Sequence, residues 1–177
     1  MSAARVLSTL ALLAGPWLAL GCEDDARCSA GEPCNCQNES YCFFECEGAG
    51  CNMGCNAVTT CGAVCEEDCT VECHDMSDCT TSCGDNCTVD CHNLDECGVI
   101  CGPSCDYTCR DAGRCGVRAG SNSTINCTDV SSCDVQCQGD CIVECVRVSD
   151  GGCTVRCPGG DAPIACSGNR LACGSCS

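Results

Sequence analysis

Lysine is absent from this chain, and aromatic residues make up only 3% of it. The lone tryptophan, Trp17, stands in the N-terminal leader. So few large apolar side chains exclude an ordinary core of Phe, Leu and Ile, and cross-links must supply most of the stability. Basic residues are scarce as well: eight arginines face 25 acidic side chains, for a net charge of −17. That balance excludes nucleic-acid binding, because phosphate contacts need positive charge. No apolar run beyond the leader is long enough for a spanning helix. No nucleophile–base arrangement, Gly-rich phosphate loop or paired-carboxylate site stands out, so the chain is expected to be non-enzymatic and to carry no cofactor.

Cysteine is abundant instead, with 31 in 177 residues, far above the level that marks a disulfide scaffold. These cysteines form a ladder with a period of about 18 residues, a repeat array. Cys61, Cys65, Cys69 and Cys73 are followed by Cys79, Cys83, Cys87 and Cys91, then by Cys97, Cys101, Cys105 and Cys109. The unit starting at Cys115 keeps only Cys127, and the full register resumes at Cys133, Cys137, Cys141 and Cys145. Each unit reads C-x3-C-x3-C-x3-C-x5. The first unit, Cys42, Cys46, Cys51 and Cys55, holds one inserted residue. The domain reading is a leader over 1–21, a short Cys-containing tether over 22–41, the repeat array over 42–150, and an irregular Gly/Pro/Cys-rich cap over 151–177.

The leader has Arg5 as its n-region and an apolar stretch from Val6 to Leu20, which predicts secretion. It ends in Leu18-Ala19-Leu20-Gly21-Cys22, which resembles the lipobox of bacterial lipoproteins. The resemblance covers about 22 residues. It departs from the common pattern at Ala19, where Leu is usual. It implies cleavage before Cys22, acylation of that cysteine and attachment to a membrane through the lipid. Glu23, in place of the Asp that retains such proteins in the inner membrane, points to the outer membrane of a Gram-negative bacterium. With Cys22 lipidated, 30 cysteines remain, an even number suited to 15 disulfides in an oxidising compartment.

Residues between the cysteines decide between helix and strand. Cys69-Thr70-Val71-Glu72-Cys73, Cys87-Thr88-Val89-Asp90-Cys91 and Cys141-Ile142-Val143-Glu144-Cys145 alternate an inward Cys or β-branched residue with an outward polar one. The segments Gly84-Asp85-Asn86, Gly102-Pro103-Ser104 and Gly120-Ser121-Asn122 are turn chemistry. The expected fold is all-β: a small, loop-rich and disulfide-rich β-solenoid with 18-residue repeats. It resembles the disulfide-filled β-solenoids of insect antifreeze proteins in principle; the Gly-Gly-x-Gly-x-Asp signature of calcium-binding β-rolls is absent.

Ala119 and Ser123 replace both middle cysteines of one unit together, as expected if those two normally bond each other. The middle pairs are then Cys65–Cys69, Cys83–Cys87, Cys101–Cys105 and Cys137–Cys141. The outer pairs are Cys61–Cys73, Cys79–Cys91, Cys97–Cys109, Cys115–Cys127 and Cys133–Cys145. Met76, Leu94, Ala112, Val130 and Val148 recur in the five-residue connectors and are expected to stack at one corner. Cys173 and Cys176, in a C-x-x-C, are expected to form a local disulfide.

Residues 22–96 hold 17 acidic side chains against one arginine, whereas 97–177 hold eight against six. Asp75, Asp78, Asp95 and Glu96 recur near connectors and could offer oxygen ligands to calcium. His74 and His92, 18 apart, could form a two-histidine clip. Thr70, Thr88, Thr124 and Thr154 suggest an outward threonine row. None of these sets is complete enough to assign a metal site. The expected function is that of a lipid-anchored envelope protein with a structural or adhesive role, contacting a surface protein or glycan and no nucleic acid. A calcium- or soft-metal-binding surface lipoprotein is the alternative.

Overall fold

The computed structural model describes residues 26–149 and 152–176; the leader and Cys22 lie outside the described residues. The chain winds as a β-solenoid of about seven turns, 67% strand and without α-helix among the described residues. The opening strands are β1 (Ala26–Ser29), β2 (Pro33–Gln37), β3 (Tyr41–Glu47), β4 (Asn52–Asn56) and β5 (Thr60–Cys65). Four long strands follow, β6 (Thr70–Cys83), β7 (Thr88–Cys101), β8 (Asp106–Ala119) and β9 (Ser123–Cys137). The chain closes with β10 (Cys141–Val146), β11 (Cys153–Arg156), β12 (Ile164–Ala165) and β13 (Arg170–Cys173).

Stacking is parallel and in register at the repeat length. Val71 pairs with Val89, Cys73 with Cys91, and Cys79 with Cys97; the next coils continue to Tyr107, Cys109 and Cys115. Each long strand runs along one face, bends through the connector and returns along the opposite face. The bend falls at a residue in the left-handed region: Asp75 (φ 57°), Asn93 (φ 56°), Asp111 (φ 50°) and Asp129 (φ 55°). Asn and Asp tolerate that conformation better than other residues with a side chain, which explains their recurrence there. The opposite corner is a three-residue turn, again with a left-handed residue at Asp68, Asn86, Ser104 and Asn122. Because an array with this register repeats its backbone, a strained position recurs in every coil and the same residue types recur with it.

The core is three columns of small apolar side chains. One face contributes Met53, Val71, Val89, Tyr107, Ile125 and Val143, each no more than 1% exposed. The facing column is Phe44, Ala63, Thr81, Val99, Val117, Val135 and Val155, and the connector column is Val58, Met76, Leu94, Ala112 and Val130. Alternation of buried and exposed residues along each strand gives one wet face and one dry face.

Two corrections to the sequence reading concern the ends. The segment 22–41, read as a tether, contains β1 and β2, which pair in parallel with β3 and β4; the array therefore begins by Ala26. In the C-terminal segment β11 still stacks in parallel on β9, but β13 runs antiparallel to β10 and β12 antiparallel to β13. That reversal ends the parallel stacking. Cys173 and Cys176 are not bonded to each other; the disulfides are Cys157–Cys173 and Cys166–Cys176.

The disulfides stand in two pillars. The connector pillar is Cys36–Cys42, Cys55–Cys61, Cys73–Cys79, Cys91–Cys97, Cys109–Cys115, Cys127–Cys133 and Cys145–Cys153. The expected outer pairs Cys61–Cys73, Cys79–Cys91, Cys97–Cys109, Cys115–Cys127 and Cys133–Cys145 are thus replaced by bonds between successive units. The reason is geometric. Cys61 and Cys79 are register partners on one face, and Cys73 faces that column from across the core. Either could meet Cys73, and the bond closes across the connector, over six residues rather than twelve. At the turn corner Cys46–Cys51, Cys101–Cys105 and Cys137–Cys141 are bonded. The expected Cys65–Cys69 and Cys83–Cys87 are not; all four are free thiols.

Candidate functional site: a buried four-thiol corner

Residues 65–69 and 83–87 occupy the turn corner of two adjacent coils. The strand register sets Cys65 over Cys83 and, from Thr70 over Thr88, Cys69 over Cys87. All four cysteines point into the core and are at most 6% exposed. Cys65 Sγ lies 3.9 Å from Cys87 Sγ, across the coil boundary. The Sγ atoms of Cys65, Cys69 and Cys87 all fall within 4.8 Å of one another. Cys83 stands in register with Cys65 on the next coil and borders this triangle. Cys69 Sγ also donates to the Glu67 carbonyl at 3.3 Å.

The coils on either side close the cluster off. Above it stands the Cys46–Cys51 disulfide and below it Cys101–Cys105. The cluster is therefore four thiols and no more. Other close groups of cysteine sulfurs, such as Cys73, Cys79 and Cys91, are stacked disulfides and offer no thiol.

Protons in the cluster are shared unequally. Hydrogen bonds from the Cys65 and Cys83 thiols pull Cys87 well below the usual thiol range. The Cys83 thiol first, then Cys87 and burial, push Cys65 well above it. Cys83 also sits above it, raised by its bond to Cys87 and by burial against an opposing bond to Cys65. One thiolate held by neighbouring thiols is thus the favoured charge state, and the titration belongs to the group as a whole. Such a group is a nucleophile screened from solvent and a ready set of soft ligands.

The turns that cover the cluster carry Glu66, Glu67, Asp68 and Asp85, all exposed. The next turns, Gly102-Pro103-Ser104 and Gly120-Ser121-Asn122, carry no carboxylate. Opposite the thiols, the connector corners line an open groove of about 850 Å³. Asp75, Asn93, Asp111 and Asp129 stand along it in order. Asn93 donates its side-chain amide to Asp75, and this bond, followed by the one from His74, holds the Asp75 carboxyl below the usual range. Arg147 makes a two-pronged pair with Asp129 and lowers that carboxyl too. The hydrogen bonds of this ladder run within it.

The remaining sequence candidates separate in space. Asp75 and Asp95 line the groove, whereas Asp78 and Glu96 stack with Arg114 on a strand face, where Arg114 bonds Glu96 at 3.3 Å. His74 and His92 stack face to face, ring centres 4.9 Å apart and 3° from parallel, so they do not converge on a common ligand point. Asn56 Nδ2 donates to His74 Nε2 at 3.2 Å, leaving Nδ1 to face Asp75. Thr70, Thr88 and Thr124 share one row, with Asp106 and Ile142 in it; Thr154 lies on the other face, beside Asp134.

The thiol cluster was missed by reasoning from sequence, which paired its members within each coil because Ala119 and Ser123 replace both middle cysteines of one unit together. A signal was present in the acidic Glu66-Glu67-Asp68 turn, unlike the Gly/Pro/Ser turns nearby. The connector pairing also had a signal: the x5 spacing persists at Cys36–Cys42 and Cys55–Cys61, in the coils where the regular x3 pattern is broken. Compared with protein-family models, curated proteins and solved structures, the chain has no match.

Proposed function

We propose that this chain is an exported, lipid-anchored rod with a structural or adhesive role in the cell envelope. The observation that carries the reading is the array itself: about seven in-register coils, fastened at a connector corner that never lacks a disulfide. At one strand spacing per coil the rod is roughly 34 Å long. Repeats of this kind present extended surfaces, and here those surfaces are strongly acidic in the N-terminal half. A disulfide-laddered rod suits an oxidising compartment. The lipobox-like Leu18-Ala19-Leu20-Gly21-Cys22 supports anchoring at Cys22, only three residues before β1. The rod would then stand close to the membrane, most consistent with the outer membrane.

The test is a deletion strain complemented with the wild-type chain or with Cys22→Ala, grown with an alkyne-tagged fatty acid. The reading expects tagged protein in the outer-membrane fraction for wild type, untagged protein released for Cys22→Ala, and surface attachment of cells restored only by wild type. Equal attachment in all strains would overturn the adhesive role. Absence of the tag from wild type would overturn the anchor.

A further inference from the structure

We propose that Cys65, Cys69, Cys83 and Cys87 form a closed thiolate site for one soft divalent metal ion of the zinc class. The site has the right number of ligands, since structural zinc takes four and leaves no open position. Three of the four sulfurs already stand near the dimensions of such a centre, with Cys83 in register beside them as the fourth. A tetrahedral centre with Zn–S bonds of about 2.3 Å separates its sulfurs by about 3.8 Å. Cys65 and Cys87 stand 3.9 Å apart, and with Cys69 they form a triangle within 4.8 Å. The 3.9 Å contact joins two different coils, which fits a shared centre and not a bond within each coil.

The corners at 65–69, 83–87, 101–105 and 119–123 share a left-handed residue at the same place, Asp68, Asn86, Ser104 and Asn122, so what differs among them is the side chains. Where the column reads Cys101 and Cys105 a disulfide closes the corner, with Cα atoms 6.1 Å apart. Where it reads Ala119 and Ser123, Ser123 Oγ donates to the Gly120 carbonyl at 3.0 Å and accepts from the Cys105 amide at 3.2 Å. Only at 65–69 and 83–87 do two cysteine corners stack directly and remain thiols. Each protonated thiol that ligates releases its proton to solvent, so loading the site exchanges protons for one cation and needs no oxidant or reductant. Glu66, Glu67, Asp68 and Asp85 around the mouth attract the cation. Thiolates select zinc-class ions over calcium and magnesium.

The test uses full-length protein exported by its host and isolated without reductant or chelator. Elemental analysis should find one zinc-class ion per chain. Alkylation under denaturing conditions should modify Cys65, Cys69, Cys83 and Cys87 only when a chelator is present. The variant Cys83→Ala/Cys87→Ser copies the natural Ala119/Ser123 corner, so the coil keeps its fold; it should lose the metal while its circular dichroism stays that of the wild type. Cys101→Ala/Cys105→Ser should keep the metal. Cobalt added alone to metal-stripped protein should give thiolate-to-cobalt charge-transfer bands that the first variant lacks. Metal-free native protein with Cys65–Cys69 and Cys83–Cys87 disulfides would overturn the proposal. So would metal content unchanged in Cys83→Ala/Cys87→Ser, or lost equally in Cys101→Ala/Cys105→Ser.

Discussion

The two corners of the coil are built from the same residue, yet they tolerate change differently. At the connector corner every coil from Cys36–Cys42 to Cys145–Cys153 carries its disulfide. At the turn corner the same column holds disulfides in some coils, Ala119 and Ser123 in one, and four thiols in two. Backbone bonds join coil to coil at both corners, at the connector through Ala57 N to His74 O at 3.3 Å and Asp78 N to Thr59 O at 3.0 Å. In the turn, Asp68 N bonds to Asp85 O at 2.9 Å, Asn86 N to Pro103 O at 2.9 Å and Ser104 N to Ser121 O at 2.8 Å. These bonds tie coil to coil whatever the cysteines do. A buried serine also finds partners there, as Ser123 does. The turn corner therefore takes other chemistry, while among the described coils the connector keeps its cystine.

The largest effect should come from Cys91→Ser/Cys97→Ser at the connector. Loss of the short loop costs about 2 kcal/mol in chain entropy. Two hydroxyls buried at fully covered positions add about 2 more. Denaturant unfolding should show a loss of about 4 kcal/mol; a loss no larger than at the turn would break the distinction between the corners. Gly84→Ala should come next, at about 3 kcal/mol. A Cβ there would lie 1.7 Å from the Glu66 carbonyl oxygen of the coil before, backbone against backbone. Calorimetry checks it, and an unchanged Tm would show that the coils need not approach so closely.

Cys101→Ala/Cys105→Ser should cost only the loop term, about 2 kcal/mol, because the serine can bond as Ser123 does. Equal losses at both corners would remove the reason offered for the natural Ala119/Ser123 coil. The smallest effect is a gain. Tyr107 is fully buried and its hydroxyl has no hydrogen-bond partner. Tyr107→Phe should stabilise by about 1 kcal/mol. Burial raises the Tyr107 hydroxyl above its ordinary value. A raised group contributes stability that is whole below the unfolded value, about pH 10, and is lost as pH rises beyond it. Wild type should therefore show an alkaline loss that Tyr107→Phe lacks. A stability–pH curve identical for the two proteins would place the alkaline limb elsewhere.

Much of the coil was legible in the chain because its period is short and its alternation is strict. Val71, Val89, Ile125 and Val143 lie between cysteines on one inward face, and the strands contain them as that pattern predicts. Met76, Leu94, Ala112 and Val130 stack at a buried corner for the same reason. The recurrence of Asp75, Asn93, Asp111 and Asp129 was not read from the sequence, because their left-handed backbone follows from the bend that returns the chain to the opposite face. The cap was legible only as irregularity. Its antiparallel β13 depends on which edge remained open after β10.

Local sequence determined the strands, the turns, the repeat length and the inward row of cysteines, because alternation and turn chemistry act over a few residues. Which cysteine meets which was decided by tertiary structure alone. The stack brings Cys61 and Cys79 into one column opposite Cys73, and only the rise of the coil selects the connector partner. The same stacking sets Cys65 and Cys69 over Cys83 and Cys87 and so creates a four-sulfur group that neither coil contains by itself.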